Sequence, residues 1–396
     1  MKRKYYLYEF MKDFMPIYPL YSLLFQSKGL SVQEISMLFT IWTLPVILLE
    51  IPSGILADRW SRKNMILLGS ILNLFAFLSW FFSNGFFMYA LGFILWGIGS
   101  SCCSGSKEAL LYDTLKQNDK EDEFEKIYST GEFISSVAHI VACILGGILA
   151  QTSKLELPLL ISIGSCFVLT LISVTFKECN LSKHTQSNAN LFGSIKNDVK
   201  FFCKKRMIVF VLLFLVIVGT SESLDEYDQL IVHDFGYTYA MIGIWSGIRF
   251  TFEGIGSLIT PMVHRWMNRI FSLHNEITLI LILGIFSSIL LGLCTLVHQT
   301  IAIVLYALYY FIISITRIIT ESYLQKQIEG EERSTIHSIV SLLLNFYGMF
   351  IFMILGQLSF TVGLFSSLGI ISILMVIMMM TLYILCKYVG KSGNQN

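Results

Sequence analysis

Charge is scarce in this chain. Asp, Glu, Lys and Arg make up 14% of the 396 residues, against 55% hydrophobic, and the mean hydropathy is +0.68. A soluble domain carries about 25% charged residues, and its core has no use for so much apolar surface, so a soluble globular protein is excluded. A net charge of +1 gives no electrostatic footprint for nucleic acid. The eight cysteines are scattered, only Cys102 and Cys103 being close in sequence. With no CxxC and no Cys/His ligand spacing, no metal or cofactor is expected. HExxH and GxSxG are both missing, and the single Gly-Lys-Ser, at Gly390 to Ser392, has Leu385 where a phosphate-binding loop needs its first Gly. ATP hydrolysis and enzymatic activity are therefore not expected. Behind Lys2, Arg3 and Lys4 there is no compact apolar core with a small-residue cleavage site, so the first span is expected to stay as an anchor.

What the chain has instead is long apolar runs. A helix rising 1.5 Å per residue needs about 20 residues to cross about 30 Å of hydrocarbon. Twelve runs qualify, near 14–27, 33–57, 64–83, 86–112, 129–151, 156–176, 207–232, 238–263, 276–297, 299–322, 335–358 and 362–386. They lack the alternation of a barrel strand and are twice its length. The expectation is an all-α polytopic membrane protein of twelve helices, with the lipid bilayer as its surroundings. With the N-terminus in the cytoplasm, 23 of the 28 Lys and Arg fall in cytoplasmic segments, which predicts both termini inside a cell membrane.

The polar segment 177–206 separates six spans from six, predicting a bundle at 1–176, a cytoplasmic loop at 177–206 and a bundle at 207–396. A faint repeat crosses it. At an offset of 203, Trp42, Glu50 and Arg62 fall on Trp245, Glu253 and Arg265; at 213, Glu108 falls on Glu321. Duplicated bundles imply a ligand site near the midplane, exposed by rocking.

Between spans two and three stands Gly54-Ile55-Leu56-Ala57-Asp58-Arg59-Trp60-Ser61-Arg62-Lys63. It resembles the signature of the major facilitator superfamily, Gly-x-x-x-Asp-Arg/Lys-x-Gly-Arg/Lys-Arg/Lys, with Ser61 in place of the second Gly. The resemblance implies a secondary transporter, here a monomer, in which Gly54, Asp58, Arg59, Arg62 and Lys63 form a conformational latch. Gly54 is expected to allow close helix approach, and Asp58 to pair with Arg62 or a helix N-terminus. Lys107, Glu108 and Asp113, and Arg317 with Glu321, look like the cytoplasmic ends of spans four and ten, as charge pairs. Two antiporter patterns are absent: Phe93 stands where drug-proton antiporters carry Arg in span four, and Ala142-Cys143 replace their Gly-Pro before Gly146-Gly147.

Ionisable groups at depth cost about 2.5–3.5 kcal/mol each on insertion scales and mark functional sites by default. Arg249 lies about 16 Å into span eight, with Glu253 one turn on and able to pair with it. On span seven, Glu222, Asp225, Glu226 and Gln229 share a helical face expected to line the central cavity. Asp228, nearer the outer surface, is expected to be wet. The coupling and substrate candidates are Glu222, Asp225, Glu226, Arg249, Glu253 and Glu50, with Tyr18, Tyr21, Trp42, Trp80, Trp96, Tyr306 and Tyr310 as aromatic walls. Such a site suits proton-coupled efflux of a cationic or amphiphilic compound. Nutrient uptake by symport is the other transport reading, and a non-transporting receptor or scaffold the reading from another class. Cysteines placed singly at 60 and 185 should react with a membrane-impermeant thiol reagent from the same side; reaction from opposite sides would contradict the topology.

Overall fold

The computed structural model describes residues 2–83, 85–178, 205–271, 276–297, 299–327 and 333–392; most of the expected 177–206 loop lies outside them. Among the described residues there is helix and no strand. Ten helical stretches are long and apolar enough to cross a membrane. The other two expected crossings are the ones whose sequences carry a break or a charge. The chain separates into two compact units, Met1–Gln186 with Tyr237–Gly247, and Ser187–Gly236 with Ile248–Asn396.

In the first unit the helices are α1 (Lys2–Asp13), α2 (Tyr21–Ser27), α3 (Val32–Arg59), α4 (Arg62–Phe81), α5 (Phe86–Cys103), α6 (Ser106–Lys116), α7 (Phe124–Thr152) and α8 (Glu156–Val174). The first crossing begins earlier than its apolar run, because residues 2–13 are already helical and packed against α7 and α8. Pro16 and Pro19 explain the break that follows: each removes an N–H and disfavours helix in the residue before it, and 16–20 form a turn. The Ile17 N–H is satisfied instead by Ser162 Oγ at 3.1 Å.

Packing in this unit rests on aromatic pairs and on close backbone contacts. Trp80 lies 4.9 Å from Phe93 and 5.1 Å from both Phe25 and Phe77, ring to ring. Tyr21 and Trp80 are buried in that cluster, so they are core rather than cavity wall. Tyr18, Trp42 and Trp96 are half-buried at its margin, with Tyr18 stacked on Trp96 at 6.0 Å. Close approach is made at Gly147 and Gly243. A Cβ on Gly243 would sit 2.4 Å from the Cys143 carbonyl oxygen and 2.9 Å from Gly147 Cα, both backbone atoms.

Of the latch segment, the expected pairing of Asp58 with Arg62 lies outside the described residues. Among the described residues, a Cβ on Gly54 would meet nothing within 4 Å. Arg62 pairs with Asp113 on α6. Asp58 ends within α3, its side chain outside the described residues, and Arg59 is exposed. Ser61 has a role of its own as the N-cap of α4: its Oγ accepts the Asn64 N–H at 3.0 Å and its hydroxyl donates to Glu178. The Glu178 carboxylate also accepts the Lys63 N–H at 3.1 Å, an anion at the positive end of a helix.

The second unit holds α9 (Lys205–Phe214), a π-helical stretch Leu215–Gly219, α10 (Thr220–Asp225), α11 (Asp228–Asp234), most of α12 (Tyr239–Phe271), α13 (Glu276–Cys294), α14 (Gln299–Gln327), α15 (Arg333–Val362) and α16 (Leu364–Ser392). Span seven is therefore not one straight helix. It widens at 215–219 and is interrupted by a two-residue turn at Glu226–Tyr227. Gly243→Val should cost about 2 kcal/mol or more by forcing backbone apart, whereas Gly54→Ala should stay within about 0.5 kcal/mol of the parent. Melting of the two variants in detergent checks both.

Candidate functional site

The second unit brings most of the buried charge together around one guanidinium. Arg249, on α12, is 6% exposed. Its Nη1 donates to Asp225 Oδ1 at 2.6 Å and lies 3.1 Å from Asp228 Oδ2, while Nε is 3.7 Å from Glu253 Oε1. The expected partner one turn along its own helix is thus the remotest of three carboxylates. The two close ones flank the break between α10 and α11. The guanidinium carbon stands 4.5 Å from the Phe250 ring centroid and 4.8 Å from that of Tyr310, a cation–π arrangement.

Asp228 corrects the expectation that it is wet. It is 7% exposed, and its Oδ1 accepts the hydroxyls of Tyr306 and of Tyr310, the latter at 2.7 Å. Both tyrosines are buried on α14, their own hydroxyls 3.3 Å apart. They were expected as aromatic walls; Tyr310 does line the cavity beside this cluster, and the hydroxyls of both also donate to a carboxylate. Period alone does not reveal this, since helix geometry places 306 and 310 on one face without saying what that face meets.

A cavity of about 170 Å³ opens beside the cluster, lined by Ser221, Glu222, Asp225, Glu253, Ser257 and Arg317 among others. Glu222 pairs with Arg317 at 3.1 Å, and Arg317 also holds Glu321 at 3.0 Å. Arg317 and Glu321, expected as a separate pair at a helix end, are therefore tied to the span-seven acids through Glu222. Glu226 ends α10, half-buried, and does not line the cavity; Gln229 is buried. Glu50 belongs to the first unit, half-buried on α3. Asp225 and Glu253 keep 37% and 30% of their side chains exposed, against 7% for Arg249 and 9% for Asp228. Accessible acids face the cavity, and a buried pair lies behind them.

A second ion cluster lies in the first unit. Glu9, fully buried on α1, takes Lys107 Nζ at 2.9 Å and Lys12 Nζ at 3.0 Å. Lys107 also lies 3.4 Å from Glu108 and 3.7 Å from Glu132. Glu9 went unnoticed in the sequence because residues 2–13 read as an arm outside the membrane.

These are the features of a polytopic α-helical membrane protein with an ion-lined cavity in one of its units. The chain belongs to the Major Facilitator Superfamily, whose family model matches residues 6–353. Among curated relatives it is 24% identical over 237 residues to an uncharacterized MFS-type transporter, YxaM of Bacillus subtilis (strain 168), covering 59% of this chain and 58% of that protein. It is 26% identical over 244 residues to a Na(+), Li(+), K(+)/H(+) antiporter of Planococcus maritimus, covering 54% of this chain and 56% of that protein. The chain thus matches a little over half the length of these relatives. The nucleoside transporter NupG superposes with a TM-score of 0.79 at 14% identity, over 98% of both chains. The D-xylose-proton symporter gives 0.70 at 12% identity, over 96% of this chain and 95% of that one. At those identities the likeness is one of fold.

Arg249→Ala should cost about 3–5 kcal/mol, because it leaves Asp228 buried without its counter-charge. Arg317→Ala, at a half-exposed pair, should stay within about 1 kcal/mol. Denaturant titration in mild detergent distinguishes the two.

Proposed function

We propose that this protein is a secondary transporter that exchanges protons for a small cation by alternating access, as a monomer in the cell membrane with both termini cytoplasmic. Two six-helix bundles, 1–176 and 207–396, joined by the cytoplasmic 177–206 segment, form the moving parts in this reading. The observation that carries it is the charge balance at the cavity of the second unit. Among the described residues, five acids, Glu222, Asp225, Asp228, Glu253 and Glu321, are paired with two cations, Arg249 and Arg317, an acidic excess where hydrocarbon makes uncompensated charge costly. A proton or a cation is what restores neutrality, and the two compete for the same carboxylates.

Size favours a small cation over a drug-like one. Sites for drug-sized ligands measure about 300–1,000 Å³, whereas about 170 Å³ holds a cation with a few waters, at about 30 Å³ per water. The oxygen lining of carboxylates and the Ser221 and Ser257 hydroxyls suits a hard cation. The partial match to an antiporter of alkali cations and protons agrees with this chemistry. The latch residues Gly54, Asp58, Arg59, Arg62 and Lys63 would then bias the conformational equilibrium, with Arg62–Asp113 as the pair that holds the segment.

In inside-out vesicles carrying a proton gradient read by a pH-sensitive dye, addition of Na+, Li+ or K+ should release the gradient. Asp225→Asn and Glu253→Gln should each reduce that release at least tenfold. Failure of all three cations to move protons, with the protein present in the membrane, would exclude the exchange reading.

A further inference from the structure

An exchanger whose acids are paired with a buried arginine faces a difficulty. When a proton or cation takes Asp225, the shortest bond to Arg249 is lost. A guanidinium left unpaired in a buried site is strongly unfavourable, so occupancy of Asp225 would be resisted unless Arg249 had somewhere else to bind. The structure supplies that place. Asp228 Oδ2 already lies 3.1 Å from the same Nη1, and its other oxygen is taken by two tyrosine hydroxyls.

We propose that Asp228, clamped by Tyr306 and Tyr310, is the fixed counter-ion that keeps Arg249 in place while Asp225 and Glu253 exchange their proton or cation. Asp228 is a positioning residue: it is buried away from the cavity lining, its Oδ1 accepts two tyrosine hydroxyls and its Oδ2 stands 3.1 Å from Arg249 Nη1 as an ion pair. The inference deepens the exchange reading and rests on it for its purpose, though not for its test. The groups facing Arg249 divide accordingly. Asp225 and Glu253 are on the cavity side and partly exposed, Asp228 is on the buried side, and Tyr306, Tyr309 and Tyr310 complete the wall on α14. Arg317 stands across the cavity, engaged by Glu222 and Glu321.

Carbodiimide attacks protonated carboxyl groups, and peptide mass spectrometry maps where it has reacted, without any transport. On the purified full chain, Asp225 and Glu253 should react and Asp228 should not. Tyr306→Phe/Tyr310→Phe keeps both rings and so opens no new path, but it removes two hydroxyl bonds to a charged group. Modification of Asp228 should then rise about tenfold or more. If the double variant does not fold, Tyr310→Phe alone should raise it in the same direction. Reaction of Asp228 in the parent as fast as Asp225, or no rise in either variant, would overturn the assignment. Loss of cation exchange in vesicles with this labelling pattern intact would instead count against the exchange reading alone.

Discussion

The placement of one guanidinium between two aspartates governs the second unit. Water would screen Arg249, Asp225 and Asp228 and make their arrangement nearly indifferent; hydrocarbon does not, so each charge must find its partner within the protein. Everything nearby serves that requirement. Residues 225 and 228, three apart across the turn at Glu226–Tyr227, address the same Nη1, as i and i+3 positions on a helical course can. The Phe250 and Tyr310 rings lie within cation–π distance of the guanidinium, and Tyr306 with Tyr310 donates to Asp228 Oδ1, the oxygen away from Arg249.

Compensation at that pair leaves the remaining acids available. Because Asp228 is occupied and Asp225 and Glu253 are partly exposed, the charge excess is concentrated on the cavity side, where an ion from water can reach it. The irregular course of span seven fits this picture. A π-helical stretch precedes the acidic residues, with Thr220 hydroxyl bonded to that of Tyr347 at 2.8 Å, and such insertions recur at functional sites. The first unit places its own buried carboxylate at the centre of its cluster: Glu9 is held by two lysines, which also meet the half-buried or exposed Asp13, Glu108 and Glu132.

The fold was largely legible in the sequence because hydrophobic length is a strong constraint in lipid. It misled where that rule meets a local exception. Residues 2–13 carry enough charge to read as an arm, yet they are helical and packed, and the apolar run 14–27 that read as the first crossing is broken by Pro16 and Pro19. At the site, Arg249, Glu253, Asp225 and Glu222 were visible as charges in apolar surroundings. Asp228 was set aside for its distance along an assumed straight helix, and the helix breaks just before it. The expected pairing of Arg249 with Glu253 is present at 3.7 Å, but spacing along one helix did not reveal the nearer acids, Asp225 and Asp228, which come from span seven. Ser61 shows the reverse: it departs from the family motif, and the departure supplies a helix cap.

The central claim is that Arg249 and Asp228 exist for each other's neutrality, and a mutant cycle tests it most directly. Melting of Arg249→Gln, Asp228→Asn and the double variant is compared in the same detergent. The account predicts that the double variant melts closer to the parent than Arg249→Gln does, since removing both members leaves no stranded buried charge. Additive losses, with the double variant the least stable of the three, would contradict it.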